Sequence, residues 1–404
     1  MTTLEAHSPP TLRDALLSRE NSLNFIRLML AVAVIISHAP YLVLGVEATS
    51  AIPVLNLSHL LGDYAVNMFF CISGFLIAHS AQRGTFGGYL KRRILRIFPA
   101  YWASILFVVC IGAPLANYTA HSGSPWTAQG ALEYVGHNFD LFFLQYSLFD
   151  GPSHVPYENS WNGSAWTLSY EFLGYLVLIP IFYLPALKRN SHRVVPTVYL
   201  LSLLPLIDFG SALSGRINAV SVIFFFIFTA AGATNNTFWE VARLYPMFFA
   251  GTLLYVWGNK IRLHPQAALA CFLVPFALQF VAPSVVLQLI QPAYAYGILA
   301  LGALIRVPLC RRNDISYGMY IYAWPVQVIL LMLGSEPLGW VLNALLTIVV
   351  TVPIAWFSWR YIEKPAMALK HWQLIPAKPV DRQTEAGGTE AHPVLVQVST
   401  PQKR

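Results

Sequence analysis

Three sets of ionisable residues sit in or at the mouths of apolar stretches of this chain, where charge is costly and usually faces a protein interior or a wet cavity. The first is Arg27 and His38 in LNFIRLMLAVAVIISHAP. Eleven helical residues return the second side chain to within about 20° of the first, about 16 Å further along the axis. The second is the run KRRILRIFPAYW at 91–102, where Arg92 and Arg93 stand four and three residues before Arg96. Either spacing puts two guanidiniums on one helical face. The third is Glu171 in WNGSAWTLSYEFLGYL, about seven residues and so about 10 Å into its apolar run.

These residue types imply a chemistry. Arginine forks match phosphate oxygens in bidentate hydrogen bonds. A histidine shielded from bulk water is a general base for a hydroxyl or, less readily, a transient acyl carrier. A carboxylate beside it fixes its tautomer and raises its basicity, which is the role first expected for Glu171. Each group also has a structural reading. Arg27 can be a snorkelling anchor, His38 can bond a neighbouring carbonyl, and the 91–102 run can be a charged anchor with a Tyr/Trp belt. Glu171 can be a buried acid bonded to Ser or Tyr hydroxyls.

The elements that position these groups are set by composition. The chain has 404 residues, 56% apolar, 14% aromatic and 11% charged, with a mean hydropathy of +0.55. A soluble domain carries about 25% charged residues, so a soluble globule, a disordered chain and a fibrous repeat are excluded. Runs of about 20 apolar residues, enough to cross about 30 Å of hydrocarbon, fall near 24–44, 61–80, 98–117, 164–184, 217–235, 241–258, 266–283, 285–305, 315–334 and 338–359. An eleventh, 194–207, holds two prolines and is short enough to be interfacial or re-entrant.

Lys and Arg accumulate on the cytoplasmic side of membrane proteins. Ten spans with the N-terminus inside place every lysine and arginine but Arg243 in the cytoplasm. Making 194–207 a span leaves only about half of them there. The expected fold is therefore an all-α polytopic bundle of about ten transmembrane helices with both termini cytoplasmic. The net charge of +7 is then a topology signal, and no nucleic-acid partner is expected. Residues 1–20 read as a polar N-terminal segment without signal-peptide character, 21–368 as the membrane domain and 369–404 as a disordered cytoplasmic tail. The outer stretch 118–163 has ten aromatics, four acids and no Lys or Arg. It reads as an ordinary loop with an interfacial helix near 137–146, or as a lid over an outward-facing site.

Four cysteines in or beside apolar runs, without Cys-x-x-Cys or His/Cys ligand spacing, signal neither a disulfide frame nor a metal site. There is no nucleophile elbow, phosphate-binding loop or dinucleotide fingerprint. Nor is there a matched pair of broken helices of the kind transporters carry.

Taken in order, these residues resemble acyltransferase family 3, the integral-membrane acyltransferases that modify bacterial glycans and some lipids and natural products. The resemblance covers about residues 20–366. It rests on Arg27-x10-His38, FFCISGFLIAHS at 69–80, RRILRIFPAYW with Arg93 and Arg96, and WNGSAWTLSYEF with Glu171. The later segments YPMFFAGTLLYVWGNKIR, ISYGMYIYAWPVQ and RYIEKP resemble the family's last spans. Tyr322-Ala323-Trp324 departs from the Trp-His pair many members carry before Pro325, so no histidine is assigned there. The chain also lacks the soluble hydrolase-like domain that follows in some members, so the acyl group is expected to go directly to its acceptor or to a separate protein.

The resemblance implies an O-acyltransferase of the bacterial inner membrane. Its donor would be a cytoplasmic acyl-coenzyme A, in most members acetyl-CoA, with phosphates held by Arg27, Arg93 and Arg96 and no metal. His38 and Glu171 would be catalytic. The acceptor would be a hydroxyl of a cell-surface or lipid-linked glycan, such as a lipopolysaccharide O-antigen. The alternatives are a transporter or flippase using the same residues as a substrate path, or an acyltransferase acting on a lipid or small natural product.

Overall fold

A long apolar run in hydrocarbon has to satisfy every backbone N–H and C=O within itself, and the helix does so. The computed structural model describes residues 10–18, 20–142, 144–203, 235–278, 290–308, 310 and 313–371, and among them it is all-helical with two isolated β-bridges. The helices used below are α1 Leu12–Leu17, α2 Leu23–Leu44, α3 Ser58–Gln82, α4 Phe86–Phe107, α5 Ala128–His137 and α6 Trp166–Tyr183. They continue with α7 Ser191–Leu203, α8 Asn235–Trp257, α9 Pro265–Leu278, α10 Gln291–Leu304, α11 Ser316–Met332 and α12 Gly339–Ser358.

Among the described residues, five helical stretches are long and apolar enough to cross a membrane: Leu23–Leu44, Ser58–Gln82, Phe86–Tyr118, Trp166–Tyr183 and Glu336–Ala368. Helix also occupies the expected runs near 241–258, 266–283, 285–305 and 315–334 as far as they are described. The run 217–235 lies almost wholly outside the described residues. Residues 194–203 belong to the 13-residue α7.

Helix α12 shows why these helices belong in lipid. Val341, Leu345, Val349, Val352 and Trp356 form one stripe, and all are exposed, Val349 by 67%. The opposite face buries Asn343, Thr347 and Thr351. Asn343 accepts from Gln327 Nε2 on α11 at 2.8 Å and donates to Ser335 at 2.8 Å. Apolar side chains outward and polar ones inward invert the pattern of a soluble helix.

Helices α3 and α8 cross closely at two glycines. A Cβ at Gly74 would collide with the Phe248 carbonyl, and one at Gly251 with the Cys71 carbonyl. Small residues at such a crossing bring backbones together.

One sequence expectation gains detail here and one changes. The polar N-terminal segment carries α1, whose Leu12 and Leu16 are buried. The Leu12 N–H donates to the Ile261 carbonyl at 2.8 Å, and Arg13 lies over the Tyr255 ring at 4.4 Å. The interfacial helix expected near 137–146 ends at its beginning. Helix occupies 128–137, capped by Thr127 accepting from the Gly130 N–H at 3.2 Å, and the chain beyond His137 is irregular. The outer segment is pinned by buried Trp161 against Gly112. Trp324 Nε1 and Tyr320 Oη add bonds to the Ser160 and Ser164 carbonyls at 2.9 and 3.0 Å. Of the expected tail 369–404, Leu369–His371 form a short 3-10 turn and 372–404 lie outside the described residues.

Candidate active site

Helix α4 begins at Thr85, whose hydroxyl accepts from the Gly88 N–H at 3.2 Å. Its first turns then aim Arg92, Arg93 and Arg96 at one cavity of about 460 Å³. Arg27 from α2, Glu171 and Tyr175 from α6, Asp314 ahead of α11 and Lys370 complete much of its wall. Five cations face two carboxylates, so the cavity is electropositive.

The cations are not equivalent. Asp314 pairs with Arg27 at 2.7 Å and also with Arg96. Arg96 reaches Glu363 at 3.6 Å as well, and lies over the Tyr317 and Trp359 rings at 5.8 and 5.9 Å. Burial opposes ionisation of Asp314, yet Arg27 and then Arg96 hold its carboxyl well below the usual carboxylate range. Arg93 has no carboxylate within ion-pair reach among the described residues. Its Nη2 donates to Ser80 at 3.4 Å, and its buried Nε has no hydrogen-bond partner. Arg92 donates to the Ser80 hydroxyl and carbonyl at 3.3 and 3.1 Å. Arg92 and Arg93 therefore retain positive charge for an anion, while Arg27 and Arg96 are largely neutralised.

Three further cavities follow from this one, each sharing lining residues with the one before it. A constriction of about 30 Å³ shares Arg27, Glu171 and Tyr317 with it. A chamber of about 100 Å³ shares Val66, Thr167 and Tyr320 with the constriction. Last comes a cavity of about 570 Å³ walled largely by the 146–163 stretch, sharing His38, Tyr41 and Trp166 with the chamber. His38 thus stands between the small chamber and the widest of these cavities.

The expected Glu171–His38 pair does not form. Glu171 accepts hydrogen bonds from Ser73 and Tyr175, each at 2.5 Å, which is the structural reading left open above. The reason is depth. Glu171 lines the same two cavities as Arg27, and on α2 Arg27 lies about 16 Å below His38. His38 instead meets the Trp324 ring edge-on, centroids 4.9 Å apart. A Cβ at residue 163 would overlap that indole, so Gly163 makes room for it. Sequence reasoning gave no role to Asp314, Glu363, Lys370 or Trp324. Only the spatial meeting of distant segments gives them one.

The family model described as an acyltransferase domain matches residues 20–360. The chain belongs to acyltransferase family 3 and is an acyltransferase, so the transporter alternative is set aside. It is 27% identical over 371 residues to an O-acetyl transferase of Shigella phage Sf6, covering 86% of this chain and 96% of that protein. It is 28% identical over 383 residues to nodulation protein 10 of Rhizobium leguminosarum bv. viciae, covering 87% and 94%. A shorter match, 31% over 135 residues, joins it to acyltransferase MdmB of Streptomyces mycarofaciens, covering 33% and 32%. No solved structure matches the chain.

Proposed function

We propose that the protein is a multi-pass O-acyltransferase of the bacterial inner membrane. It moves an acyl group, most simply acetyl, from cytoplasmic acyl-CoA to a hydroxyl of a surface or lipid-linked glycan. In this reading it has ten spans, both termini in the cytoplasm, and the arginine-rich cavity on the cytoplasmic side. The observation that carries the reading is the row of cavities with a cationic mouth at one end and an imidazole at its junction with the outer cavity.

Arg92, Arg93 and Lys370 grip the donor's phosphates through charge-assisted hydrogen bonds. Arg27 and Arg96, tied to Asp314, shape the mouth. The thin pantetheine arm passes the constriction at Glu171 and Tyr317. His38 takes the proton from the acceptor hydroxyl as its oxygen attacks the thioester carbonyl carbon. The tetrahedral intermediate collapses, the C–S bond breaks and His38 returns the proton to the sulfur. The products are the O-acyl ester and free coenzyme A. Glu171 acts on the donor path and not on the imidazole, and Trp324 takes over the orienting of His38.

The test is ester content of surface glycan in cells carrying His38→Ala or Arg93→Ala at matched protein level. Full acylation with His38→Ala removes the catalytic assignment. Coenzyme A protection against thermal unfolding tests the donor half, since a ligand at 100 times its Kd adds about 2.7 kcal/mol.

A further inference from the structure

We propose that the outer cavity is a charge filter, admitting uncharged sugar rings as acceptors and turning carboxylated rings away. The proposal deepens the acyl-transfer reading and rests on it. Tyr41, Tyr146, Tyr157, Trp166 and Trp324 line the cavity. Aromatic faces carry a negative quadrupole, which suits the C–H faces of a pyranose and repels an anion. The cavity's volume of about 570 Å³ lies within the ordinary range for small-ligand sites. Its polar groups are those of a hydroxyl-bearing ligand: His38, Asn159 and Glu158 also line it.

No lysine or arginine is among the described residues of this wall. The Glu158 carboxylate accepts from the His154 N–H at 2.9 Å, which holds the charge at the cavity. The loop that supplies Glu158 has no Lys or Arg anywhere in 118–163. A carboxylate on the acceptor would therefore face a like charge and ring faces with no compensating cation. Rejection by an unpaired like charge gives selectivity without any contact to the favoured ligand.

The experiment uses the full-length protein in lipid nanodiscs with acetyl-CoA and two matched acceptors, p-nitrophenyl glucoside and p-nitrophenyl glucuronide. These share one ring and differ in the carboxylate at C6. Ester product is read by mass spectrometry. The glucoside is expected to react with about tenfold higher kcat/KM, with the ratio falling as salt screens the charge. Glu158→Gln should bring the ratio toward one. Equal rates in the unmodified protein, preference for the glucuronide, or a ratio unmoved by both salt and Glu158→Gln would overturn the filter. If neither glycoside is acylated while coenzyme A still protects against unfolding, the sugar acceptor is wrong and the donor site stands. If coenzyme A also fails to protect, the proposed function itself fails.

Discussion

The two ends of the cavity row are built on opposite principles. The inner cavity is walled by four arginines and Lys370 against two carboxylates. The outer one is walled by five aromatics and a single carboxylate. Charge gives strong, salt-dependent capture of a polyanion at the cost of desolvation, which Asp314 partly offsets by sharing one negative charge between two of the guanidiniums. Ring faces give shape-dependent capture of a ligand without charge. On the proposed reading, the contrast means that donor and acceptor are told apart before either meets His38.

The hardest blow to that division is at the junction. His38→Ala should lower transfer by about a hundredfold to ten-thousandfold, the usual worth of a general base, with coenzyme A protection intact. Loss of both together would mean the two ends are not separable.

Asp314→Asn should destabilise the protein by up to about 3–5 kcal/mol, because the part-buried Arg27 loses its counter-charge and Arg96 keeps only Glu363 at 3.6 Å. Thermal unfolding of the purified variant checks it. The sign with pH follows from the depressed carboxyl. The ion pairs contribute fully above the usual carboxylate range, and the contribution drains as pH falls through the lower folded-state value. The variant should lack that acid-side component.

Arg93→Ala should weaken donor binding by about tenfold to a hundredfold, the worth of a charged hydrogen bond, and flatten its salt dependence. Acceptor KM should not move. An equal rise in both would blur the two ends into one site. Trp324→Ala should lower kcat by about tenfold through a misplaced imidazole. A double-mutant cycle sharpens it: added to His38→Ala, the same change should cost the chemical step nothing further.

Much of this was legible along the chain. Apolar run length marked the helices, and the spacing of Arg27 and His38 placed them at different depths on one helix. The three arginines of α4 do share a cavity. What the sequence could not show is partnership across distance. Glu171 lay near the expected depth, but Ser73 and Tyr175 claim its carboxylate, and helix rise alone does not say which neighbour arrives first. Asp314 carried no periodic signal because it sits in a connection, and its meaning lies in Arg27 and Arg96, both more than 200 residues away. The helix expected at 137–146 started earlier, since the Thr127 cap outweighed the apolar spacing of NFDLFFLQY. The buried α1 was hidden by brevity: two leucines in a six-residue helix within a polar stretch look incidental until their packing is seen.

The glycine crossing of α3 and α8 has a mechanical corollary. With Gly74 against the Phe248 carbonyl and Gly251 against the Cys71 carbonyl, the two main chains abut with no side chain between them to act as a bearing. Sliding one past the other would drive carbonyls into each other, so this pair is the stator of the bundle. On the proposed reading, the breathing that lets a thioester pass the 30 Å³ constriction has to come from the walls that face α3 there, α2, α6 and α11.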